Sequence, residues 1–77
     1  KGMDNIKLLA DEADMIVNGY AYTKMQGDFM VFHLDRPEKY AVISSKGDIL
    51  ETNMHAIEVE IVKKYYFKNN NFLFSNE

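Results

Sequence analysis

The chain predicts an α+β single small domain of order α-β-β-β(-β)-α, with an antiparallel meander sheet and both helices on one face. Three observations carry this. Apolar residues recur at helical spacing over residues 6–17 and again from Met54 to Tyr66. Between them lie short runs rich in β-branched and aromatic residues. Connections of three to five residues separate those runs, which suits antiparallel neighbours rather than crossovers.

In the first helix Ile6, Leu9, Ala10, Ala13, Ile16 and Val17 fall on one stripe about 120° wide. Asp4 stands where an N-cap accepts from unpaired backbone N–H groups. Asn18-Gly19 tolerates positive φ and is read as the helix stop. The same pair is a hairpin signal, but the helical period ahead of it favours the stop. Leu8 and Met15 lie off the stripe and are candidates for a partner contact.

Strands are expected at residues 20–25, 29–34, 40–44 and 49–52, with turns at 26–28 and 45–48. Residues 35–39 form a charged loop holding Pro37, the sole proline. In the second strand Met30, Phe32 and Leu34 face one way, and Phe29, Val31 and His33 the other. Two apolar faces mark a central strand. The helices are expected on the first set, giving a core of Ile6, Leu9, Ala13, Ile16, Phe32, Leu34, Val42, Ile57, Ile61 and Tyr65. Phe29 and Val31 would then share a half-wet face with Tyr20 and Tyr22, suited to binding or dimerisation.

The second helix starts near Met54, capped by Thr52 or Asn53. Met54, Ile57, Ile61 and Tyr65 form its stripe, with Val62 at the edge. Val59 and Tyr66 widen the apolar sector to roughly 200°, more than one core contact needs. Phe67 falls on the polar side. Lys63, Lys64 and Lys68 are read as cations offsetting the negative end of the helix dipole. Asparagines 69–71 are the stop, after which Phe72-Leu73-Phe74 folds back onto apolar surface.

With 77 residues and no cysteine, the domain spans 3–77 and has only its core, or a second copy, to stabilise it. Lys1-Gly2 are read as residue left from cloning ahead of a start at Met3. A net charge of −3 disfavours nucleic acid as a partner. No apolar run approaches the roughly 20 residues of a membrane span. Without cysteine or a secretory pattern, a cytoplasmic location is expected. Eight lysines to one arginine, with seven asparagines, suit an AT-rich bacterial genome.

No catalytic signature is present. Residues 45–48 contain one glycine and read as a turn, not a phosphate loop. No serine or threonine sits beside a histidine base in a recognisable pattern. His55 and Glu58 stand at i, i+3 and could reach one metal ion, with Glu51 nearby. The favoured alternative places both in the first helical turn, where Glu58 complements the dipole. His33 is read as a hydrogen-bonded sheet residue. No cofactor is expected.

The stretches DMIVNGYAYTK and ETNMHAIEVEIVKKY are similar to small uncharacterised bacterial proteins, from anaerobic Firmicutes and their relatives, classed as domains of unknown function. The resemblance implies a small stand-alone α+β protein of the bacterial cytoplasm and carries over no active-site residue.

The function expected from these readings is a non-enzymatic, self-associating protein-interaction module, a homodimer. Surplus apolar surface motivates it: Leu8, Met15, Val59, Tyr66, Phe67, Phe72, Leu73 and Phe74. The alternative is a single-stranded nucleic-acid-binding module using the basic-aromatic C-terminus. A further alternative is a small metal-binding protein or enzyme.

Overall fold

Two glycine-containing pairs set the sheet. Asn18 and Gly19 have φ of 51° and 84°, and Gln26 and Gly27 have φ of 50° and 95°. Two successive residues at positive φ make the two-residue turn whose twist matches its flanking strands. The computed structural model describes residues 12–75, with side chains through residue 71. Among these residues the strands are β1 (Met15–Val17), β2 (Tyr20–Met25), β3 (Asp28–His33), β4 (Arg36–Ser44) and β5 (Ile49–Thr52). One helix follows, α1 (Ala56–Ser75). The strands lie in chain order as one antiparallel sheet, the meander that the short connections predict.

The first predicted helix is corrected in its last turn. Ile16 and Val17, both β-branched, pair with Ala21 and Tyr20 across the Asn18-Gly19 turn. Asn18-Gly19 is therefore a hairpin turn, not a helix stop; Glu12 is helical at the edge of the described residues, and α1 is the one helix whose bounds lie within them. Residues 6–11 of that prediction, Leu8 among them, lie outside the described residues.

The charged loop at 35–39 is also shorter than expected. Only Leu34 and Asp35 turn the chain, and Pro37 belongs to β4. The ladder slips between Phe32 and His33, where Arg36 pairs with His33. Proline, with no N–H to donate, is tolerated at such a bulge. A second slip in the β4–β5 ladder leaves Leu50 unpaired and 55% exposed.

Register sorts the sheet into two faces. Met15, Tyr22, Val31 and Ala41 stand side by side across four strands. With Tyr20, Phe29 and Ile43 they form the face that packs with Met54, Val62 and Tyr66 in one buried cluster. The core is thus the face opposite to the one predicted: Phe32, Leu34 and Val42 stay partly exposed. The cause lies in the partner strands. Thr23, Asp28, Ser44 and Glu51 all fall on the Phe32 face, and burying that face would desolvate them.

The helix is rotated to match. Val62 and Tyr66 are fully buried, whereas Ile57 is 79% exposed and Ile16 of the predicted core is 49% exposed. Tyr22 donates its hydroxyl proton to the Val62 carbonyl at 2.7 Å, and Tyr66 donates to the Ser45 carbonyl. The helix runs on through asparagines 69–71, so they are not its stop. The Asn69 side-chain amide instead donates to the Tyr65 carbonyl at 2.9 Å. As a result the last turn carries no basic residue.

Candidate functional site

One polar cluster forms where the start of α1 meets the sheet. Val17, Tyr20, His33 and Arg36 make one row on the helix-covered face. Glu58, in the first turn of α1, reaches into it. Its Oε2 accepts from the Tyr20 hydroxyl at 2.9 Å and from the Arg36 guanidinium at 3.1 Å. The Tyr20 and His33 rings meet edge to face at 4.8 Å. His33 Nδ1 accepts from the Asp35 N–H at 3.1 Å, which closes the β3–β4 turn.

This arrangement fastens the helix to the sheet. Arg36 is 55% exposed in its side chain, so its ion pair contributes no more than about 1 kcal/mol. The tyrosine matters more. Burial first, then the bond to Glu58, pushes the Tyr20 hydroxyl up from 10.0 to about 12. It is a held proton donor at neutral pH, not a base.

The sign of the pH dependence follows. A raised folded-state value means that the folded state favours the neutral phenol. Its contribution is intact below the ordinary value of 10.0 and is lost as pH rises from there through about 12. Melting followed by circular dichroism should therefore be steady up to pH 10 and fall steeply above it. Tyr20→Phe should flatten part of that fall. An unchanged slope in the variant would remove Tyr20 from the account.

The second feature is the sheet face opposite α1, over which no other described element packs. Ile16, Ala21, Phe32 and Tyr40 form one row, and Thr23, Met30, Val42 and Glu51 the next. Ile16 and Met25 are about half exposed, at 49% and 50%. Met25, Met30 and Val42 line one shallow cleft at the β2–β3 end. Glu51 is held at the margin by the Tyr40 hydroxyl, which that bond pushes up in pKa. Among the described residues no element packs over this face.

The predicted site residues are dispersed. Met15 and Tyr66 are buried within the chain, and Val59 packs against the core. Phe67 is 52% exposed, with its ring lying against Gly47 and Tyr66. Leu8 and the side chains of Phe72, Leu73 and Phe74 lie outside the described residues. The metal candidates separate: His55 is exposed and its carbonyl accepts from the Val59 N–H at 3.0 Å, while Glu58 is engaged by Tyr20 and Arg36. Among the described residues no three His, Cys, Asp or Glu side chains converge as a metal site. No helix there is long and apolar enough to cross a membrane.

Tyr20, Arg36, Ile16 and Met25 were not singled out as site residues by spacing. Tyr20 and Glu58 are 38 positions apart, beyond any local pattern. For Ile16 the available signal was the Asn-Gly hairpin alternative, which moves it onto the sheet that already holds Met25. The profile of a protein family described as a family of unknown function (DUF7723) matches residues 3–73. No curated protein and no solved structure matches the chain.

Proposed function

We propose that this chain, which belongs to the DUF7723 family of unknown function, is a non-enzymatic interaction module that pairs with a second copy through the sheet face opposite α1. The supporting observation is the apolar content of that face: Ile16, Met25, Met30, Phe32 and Val42, two of them about half exposed. Its carboxylates stand at the margins, Asp28 in the end row of the β2–β3–β4 ladders and Glu51 on the edge strand β5. A face with few charges at its centre suits a like face, and a two-fold contact repeats each apolar residue on both sides. Two sheets meeting this way pack about 10 Å apart. The abundance of lysine over arginine and the lack of cysteine support a bacterial cytoplasmic setting.

Sedimentation velocity at micromolar concentration tests the reading. A dimer is expected, and Ile16→Glu with Met25→Glu should convert it to a folded monomer. A single 9.0 kDa species across that range would overturn it. So would a dimer indifferent to both substitutions. Coverage of the face by residues 1–11 of the same chain is the competing outcome and gives a monomer.

A further inference from the structure

Lys63, Lys64 and Lys68 were read as charges that offset the end of a helix. The helix runs to Ser75 and its last turn holds no basic residue. The pull of the helix dipole fades within one turn, so it does not account for these lysines. Lys64 and Lys68 are exposed and Lys63 partly so. Between them stands Phe67, an aromatic ring 52% exposed on an otherwise polar helix face. Three and four residues before it, Lys64 and Lys63 share its side of the helix.

The fold adds a residue that the C-terminal stretch does not contain. Phe67 lies against Gly47, and the turn that holds Gly47 also carries Lys46, which is exposed. Glu60, one turn before Lys64, and Asp48, beside Gly47, are the acidic residues flanking these positions in the chain. Four lysines less these two carboxylates leave a local excess of two positive charges on a chain of net charge −3. Tyr66 takes no part, since it is fully buried.

We infer that this surface binds single-stranded nucleic acid, with Phe67 as the platform for one base and Lys46, Lys63, Lys64 and Lys68 on the flanking phosphates. An exposed ring among cations is what unpaired bases and their backbone engage together. A duplex presents charge but no free base face, so the ring selects the single strand.

Fluorescence anisotropy with labelled oligothymidylate at about 50 mM salt tests this, because phosphate contacts are strongest at low salt. Saturable binding is expected, weakening as salt rises, with duplex of equal length binding less tightly. Lys46→Glu with Lys64→Glu should abolish it. Phe67→Leu should weaken it about tenfold, and Phe67→Trp should restore it. Melting curves check that each variant is folded. If Phe67→Leu is not, the two lysine substitutions, both at exposed positions, decide. No binding at low salt overturns the inference. Equal affinity for duplex with no effect of Phe67→Leu also overturns it, leaving only general attraction to a polyanion.

Discussion

Gly47→Ala is expected to destabilise the domain by about 2–4 kcal/mol, lowering the melting temperature by on the order of 15 °C. Two causes combine. Gly47 has φ of 93°, where a side chain is strained, at about 1–2 kcal/mol. A Cβ there would also collide with the Phe67 ring. The ring is half exposed and can swing outward, which relieves the collision but uncovers Tyr66. Gly27 separates the two causes, because it has φ of 95° and nothing within 4 Å of the added carbon. Gly27→Ala should therefore show the backbone cost alone. In a Phe67→Ala background the extra cost at Gly47 should vanish. Thermal melts of the four variants check this. Equal losses at Gly47 and Gly27 would show that Phe67 does not constrain the turn.

Tyr22→Ala should be comparably severe, at about 3–5 kcal/mol, because it empties a fully buried aromatic site. Tyr22 lies between Met15 and Val31 in the central row, and its hydroxyl spans to the helix at the Val62 carbonyl. Tyr22→Phe keeps the ring and loses that bond, for a cost of about 1 kcal/mol. The difference between the two, read from urea titrations, apportions ring and hydroxyl. A loss near zero for Tyr22→Phe would mean that the bond to Val62 does not hold the helix. Burial pushes the Tyr22 hydroxyl upward in pKa, so the proton for that bond stays in place through neutral pH.

These two sites show what could be read from the chain and what could not. The strands at residues 20–25 and 49–52 were legible to the residue, because period-two alternation and flanking turn residues are local. The helix was legible in kind, although its stop was not: asparagine disfavours a helix interior by only tenths of a kcal/mol, roughly. The buried face of the sheet was not legible. Both faces of β3 are apolar, and the choice between them rests on residues of β2, β4 and β5 that only the register aligns. Rotation of the helix inherits that ambiguity, which is why Ile57 was placed inside. Of the candidate sites, Phe67 was visible as a residue out of pattern. The shared carboxylate of Glu58 was not, since its partners stand 22 and 38 positions away.

Strand order that repeats chain order has a kinetic side. Each strand's partner is its immediate neighbour in sequence, so every ladder closes a short loop and loses little chain entropy in doing so. A domain built this way has low contact order in its sheet and should assemble hairpin by hairpin. The long-range step is left for last, when α1 docks and Val62 meets Tyr22 across 40 positions. During synthesis the sheet is complete in the emerging chain before the helix exists to cover it. Until then the apolar face that α1 buries is bare, and that interval is when this chain is most exposed to the wrong partner.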